Sequence, residues 1–124
     1  MKTCYSAQLT TTAQKIISCE FNQRVRIDLL WLNNASSSND SYTIYHVKAG
    51  DSPADSNTLA YQTAINSKRT AQFEGPLYLG PGDTLQALAA TASRVNIHVY
   101  CMVSTDDVEL TTVDPINDVE IRYE

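Results

Sequence analysis

A chain of 124 residues with a hydrophobic fraction of 43%, a charged fraction of 19% and a formal charge of −5 has the size of one domain with one core. No apolar run approaches the roughly 20 residues that a membrane span needs, and the acidic balance leaves no basic stripe to neutralise phosphates, against broad nucleic-acid binding. The start, Met1-Lys2-Thr3-Cys4, lacks a secretory pattern, and three cysteines at no metal-like spacing fit a reducing cytoplasm better than a disulfide framework.

Residues 3–10 alternate weakly, and 15–21 read as a short strand containing Ile16 and Ile17. The strongest strand pattern covers 24–33. Strict alternation puts Val25, Ile27, Leu29 and Trp31 on one face and Arg26, Asp28, Leu30 and Leu32 on the other. That second face begins polar and ends apolar, so Leu30 and Leu32 are expected to lie under another element or a partner. A polar loop over 33–41 leads to a β pattern over 42–49, and a second polar loop covers 50–57. Residues 58–65 alternate through Leu59, Tyr61, Thr63 and Ile65, but could equally make two helical turns. The run 69–79 carries Phe73, Leu77 and Leu79, with Gly75-Pro76 bending or bulging it. Gly80-Pro81-Gly82-Asp83 reverses the chain into 84–90, and a break at Thr91 to Ser93 leads into 94–103, where Ile97, Val99, Cys101 and Val103 share a face. These last runs form a β-meander. About eight strands at regular spacing predict an all-β fold, a two-sheet antiparallel β-sandwich of jelly-roll or immunoglobulin-like kind. The expected core is Val25, Ile27, Leu29, Trp31, Phe73, Leu77, Leu79, Leu85, Ile97, Val99 and Cys101.

Charge divides the chain unevenly. Residues 1–105 hold seven acids and eight bases, whereas 106–124 hold seven acids against Arg122 alone, a charge of about −6. Such a run is the composition of a solvating tail. Against that, Val108, Leu110 and Thr112, then Val119, Ile121 and Tyr123, alternate as strands do, with Asp114-Pro115 between them. We therefore expect a β-sandwich over 1–105 and an acidic C-terminal arm over 106–124, able to add to a sheet edge of its own or a neighbouring subunit. Leu30, Leu32, Val108, Leu110, Val119, Ile121 and Tyr123 are the candidate interface residues.

Nothing along the chain joins nucleophile, base and oxyanion donors, so no catalytic, cofactor or metal-ligating residues are assigned and no enzyme is expected. His46 and His98 both fall inside strands, and no Cys-x-x-Cys or His-x-x-x-His spacing accompanies them, as zinc would require. Asp106-Asp107 lacks EF-hand spacing. Gly80-Pro81-Gly82-Asp83 has no following helix or Lys-Ser/Thr to make a phosphate cradle, and reads as a turn. Among seven tyrosines, Tyr42, Tyr45, Tyr61, Tyr78 and Tyr100 could supply a sugar-stacking platform or serve as ordinary cross-strand residues.

The order of several pieces is distinctive: Gln8-Leu-Thr-Thr-Thr-Ala13, Arg24 through Leu32 ending in Asn33-Asn-Ala-Ser-Ser-Ser38, Tyr42-Thr-Ile-Tyr-His-Val47, Asn57-Thr-Leu-Ala-Tyr61, Gly75-Pro-Leu-Tyr-Leu-Gly-Pro-Gly-Asp-Thr-Leu-Gln-Ala87 and Val95-Asn-Ile-His-Val99. Across roughly residues 7–103 this resembles small β-sandwich virion structural proteins of tailed bacteriophages. The resemblance implies a non-enzymatic protein made in the host cytoplasm and carried on the virion. Its foremost form is a capsid decoration (cement) protein, a homo-oligomer of three copies binding the major capsid protein on the outer head surface. The alternative is a tail or fibre component with a carbohydrate-binding or receptor-binding sandwich. The acidic extension after Ser104 has no counterpart in that pattern.

Overall fold

Period-two alternation becomes eight strands in the computed structural model, which describes residues 2–105. They are β1 (Lys2–Gln8), β2 (Gln14–Ser18), β3 (Gln23–Asn34), β4 (Asp40–Val47), β5 (Thr58–Ile65), β6 (Thr70–Leu79), β7 (Thr84–Ala89) and β8 (Val95–Thr105). The stretch that could have been helical, Thr58–Ile65, is a strand because a neighbour accepts its alternation: it pairs antiparallel with β4. Two four-stranded antiparallel sheets result, ordered β1-β8-β3-β6 and β2-β7-β4-β5. First strand pairs with last, second with seventh, third with sixth and fourth with fifth. The chain is thus one long hairpin rolled on itself, which selects the jelly roll over the immunoglobulin arrangement.

The core lies between the sheets and is built from alternate residues of every strand except β1, whose Ala7 only packs against it. Val25, Ile27, Leu79, Leu85, Ile97, Val99 and Cys101 are buried as expected, and Phe73 and Leu77 pack against them while partly exposed. Leu9, Ile17, Tyr42, Ile44 and Val95 join them, although the expected core did not include them.

Strand β3 departs from strict alternation, and the departure reverses four assignments. Its register shifts between Ile27 and Leu29 against both neighbours: against β8, Asp28 is an extra residue in a bulge, and against β6 it faces the two residues Gly75 and Pro76. One inserted residue moves everything after it to the opposite face. Leu30 and Leu32 are therefore in the core, 3% and 0% exposed, whereas Leu29 and Trp31 stand half-buried on the outer face. Of the two coverings expected for Leu30 and Leu32, another element or a partner, the structure shows the first: both are covered within the chain, so their place among the candidate interface residues is corrected. On β6 the same irregularity meets Gly75-Pro76, where a Cβ on Gly75 would collide with the carbonyl of Ile27, so only glycine fits.

Candidate functional site

A jelly roll has four edge strands, and here they differ. The β2 ladder shifts between Lys15 and Ile17. The β5 ladder shifts twice, and Gln62 adopts a positive φ of 45° with its N–H taken by the Thr43 hydroxyl at 3.0 Å. Strand β6 is broken at Gly75-Pro76. Bulges and prolines of this sort blunt an edge against foreign strands. Strand β1, by contrast, pairs with β8 over seven consecutive residues without a shift, from Lys2 opposite Met102 to Gln8 opposite Asn96.

The phase of that ladder decides what β1 shows to the outside. The Leu9 N–H donates to the Val95 carbonyl at 2.8 Å, one step beyond the paired strand. Hydrogen-bonded pairs alternate in an antiparallel ladder, so Ala7, Tyr5 and Thr3 direct their main-chain groups to β8. Cys4, Ser6 and Gln8 direct theirs to the open edge. Side chains follow the same alternation. Tyr5, opposite buried Val99, points between the sheets yet remains 40% exposed, because among the described residues no strand lies beyond it. Cys4 sits opposite Tyr100 on the outer face.

The β3 bulge turns two apolar side chains, Leu29 and Trp31, onto that outer face. Trp31 lies between His98 of β8 and Gln72 of β6, and Leu29 between Tyr100 and Glu74. Asn96 donates to Asn33 at 3.1 Å across the same face, and Arg26 pairs with Asp28 at 2.8 Å, which holds the guanidinium pKa above its ordinary value. Beside this pair a shallow groove of about 380 Å³ is lined by Arg24, Arg26, Tyr78, Met102 and Ser104. A second groove, about 290 Å³, opens between the blunted β5 and β6 edges over Ile27, Leu30, Ile44, Leu59, Phe73 and Leu77.

At one end of the sandwich Asp83 joins two loops. Its buried carboxylate accepts the Gly80 N–H at 2.9 Å and the Ala49 N–H at 3.0 Å, while its own N–H returns to the Gly80 carbonyl at 3.0 Å. Gly82, with φ 84°, completes the turn that the sequence foretold. His46 Nε2 is buried 3.6 Å from an Asp83 oxygen without a hydrogen-bond partner, and Lys48 Nζ stands 3.9 Å away. The carboxylate is therefore committed to main-chain donors, a structural use of charge. Neighbouring Cys19 is buried with its thiol against the carbonyls of Gln23 and Leu79, and burial, helped by the Asp83 charge, raises its pKa. Burial also raises that of Cys101. Both thiols are held protonated, the opposite of an activated nucleophile. Cys4 is exposed.

The described tyrosines do not converge. Tyr42 and Tyr45 are buried, Tyr42 edge-on to Phe73 with ring centroids 6.1 Å apart. Tyr61 belongs to one sheet, Tyr78 and Tyr100 to the other. His98 lies half-buried on the outer face opposite Ser6 and Trp31. Of the candidate interface residues, Val108, Leu110, Val119, Ile121 and Tyr123 lie outside the described residues. What the sequence did not single out is the β1 edge, whose only signal is the weak alternation at residues 3–10.

No protein-family model matches the chain, and no curated protein does. Solved structures match it. An appendage chain of Bacillus endospores, from a novel family of disulfide-linked pili, aligns with a TM-score of 0.56 at 17% identity, over 86% of this chain and 87% of that one. Chains of infectious bursal disease virus also align, the Gx strain at TM-score 0.42 and 7% identity and the Gt strain at 0.38 and 10%. The alignments cover 86% and 81% of this chain but only 30% of each viral chain. The likeness to the Bacillus appendage is one of fold.

Proposed function

We propose that this chain is a non-enzymatic structural subunit that assembles with copies of itself on the outside of a particle or appendage. In its finer form the proposal is a tailed-phage capsid decoration protein, seated as a trimer on the major capsid protein. The observation that carries it is the regular β1 edge, open among the described residues, beside an outer face where Cys4, Tyr100, Leu29 and Trp31 lie in adjoining rows. Open main-chain groups and half-covered apolar side chains are the ingredients of a subunit junction. A compact sandwich spanning neighbouring subunits strengthens a shell by added buried area, without chemistry of its own. The order of the sequence pieces supports the virion reading. The fold shared with the Bacillus appendage supports assembly, and the exposed Cys4 thiol lies where a link of the kind named for those pili is sterically open. The carbohydrate-binding tail reading gains nothing from the described tyrosines, which are divided between the core and the two sheets.

The test is gold-labelled antibody against the chain on intact particles from its source. Label distributed over the outside of heads is the expected result. Label confined to tail tips replaces the decoration role with the tail role, and particles without label, from cells that make the protein, overturn both.

A further inference from the structure

We propose that the run Asp118–Tyr123 of one copy adds as a strand to the open β1 edge of a neighbouring copy. This inference rests on the assembly reading above and specifies its junction. Three features converge on it. First, β1 is the one regular edge among the described residues, and it offers the N–H and C=O groups of Cys4, Ser6 and Gln8 to an incoming strand. Second, that side of the sandwich is unfinished, since Tyr5 points between the sheets and is 40% exposed. The added strand has the matching pattern: Val119, Ile121 and Tyr123 would extend the inner layer over Tyr5, while Asp118, Glu120 and Arg122 would continue the outer face beside Cys4 and Ser6. Third, charge and reach agree. The body carries eight bases against seven acids and the arm about −6, and Lys15 is exposed on β2, the edge of the opposite sheet on that side.

The described chain ends at Thr105, opposite Gln23 of β3. The connector 106–117 spans up to about 40 Å when extended, enough to leave one sandwich and reach the next. Within a single chain the run would have to lie parallel to β1 after crossing its start, or run the length of the sandwich and double back. Between chains neither constraint applies, and the antiparallel ladder is accessible.

The test uses full-length protein. A variant carrying Glu120→Cys with Cys4→Ser is mixed with wild-type chains, oxidised with copper phenanthroline, and the linked peptides are identified by mass spectrometry. The expected product joins Cys4 of one chain to position 120 of another, at least tenfold more abundant than the product from Ile121→Cys with Cys4→Ser, whose thiol faces the other way. Ser6→Pro in the wild-type partner, which removes an outward N–H and no bond to β8, should abolish the link, and Ser6→Ala should not. Equal linking at positions 120 and 121, or indifference to Ser6→Pro in a protein that still melts cooperatively, would overturn the inference. An oligomer that light scattering detects but that gives no position-120 link refutes the strand addition alone. A monomer refutes both readings.

Discussion

Leu32→Ala and Trp31→Ala, compared side by side, test the β3 bulge. Without the bulge, Trp31 would be a core residue and Leu32 a surface one; with it, Leu32 is 0% exposed and Trp31 half-buried. Removing a fully buried leucine side chain costs about 2–5 kcal/mol through lost transfer free energy and the cavity left behind. For a domain of this size about 3 kcal/mol lowers the melting temperature by more than 10 °C. With a urea m-value of about 1.5 kcal/mol per molar, it moves the midpoint down by about 2 M. Trp31 makes outer-face contacts with its neighbours on β6 and β8 but fills no interior space, so its truncation should stay within about 1.5 kcal/mol. Far-UV circular dichroism follows both melts, since Trp31 is the only tryptophan. In the wild type its emission should be red-shifted and quenched by acrylamide. A greater loss from Trp31→Ala than from Leu32→Ala would show that β3 runs without a bulge and that the face assignment is wrong.

Asp83→Ala leaves the Gly80 and Ala49 N–H groups without their acceptor; it should cost about 2–4 kcal/mol, and hydrogen exchange at those two amides should quicken first. Gly75→Ala drives a Cβ into the Ile27 carbonyl and should lower the urea midpoint, whereas Ala71→Gly on the same strand should not do so to a comparable degree. The buried Cys19, Cys101 and Tyr42 all have pKa values raised by burial. Their neutral forms are favoured in the folded state, so stability should be level below the ordinary thiol value of 9.0 and fall as pH rises above it, when the unfolded chain ionises and the folded chain does not. A stability that climbs between pH 8 and 10 would contradict that sign. In native protein near pH 8, a disulfide reagent should titrate Cys4 at once and Cys19 and Cys101 only on unfolding.

Much of this fold could be read from alternation, because antiparallel sandwich strands show one face to the core and one to the outside. The runs at 24–33, 69–79, 84–90 and 94–103 all became strands near those bounds, and the Gly80–Asp83 turn was legible from its residue types. The β3 bulge was not. Leu29, Leu30, Trp31 and Leu32 are apolar on both sides, so a change of parity at Asp28 leaves no trace in the pattern. The choice of jelly roll over immunoglobulin-like order is set by which strands pair at long range, which local periodicity does not encode. The β1 edge was faint for a related reason. Its outward residues, Cys4, Ser6 and Gln8, are chosen for what they leave open rather than for what they bury. The buried Asp83 carboxylate was hidden too, since its two N–H partners come from loops 34 residues apart in sequence on one side and three on the other.

The central claim is that this sandwich works as one subunit among copies of itself, and light scattering on the full-length protein from low to high micromolar concentration tests it most directly. The expected mass is a whole multiple of 13.7 kDa, threefold for the decoration trimer. Ser6→Pro should lower the mass while the melt stays cooperative. A mass of 13.7 kDa throughout that range would contradict the claim.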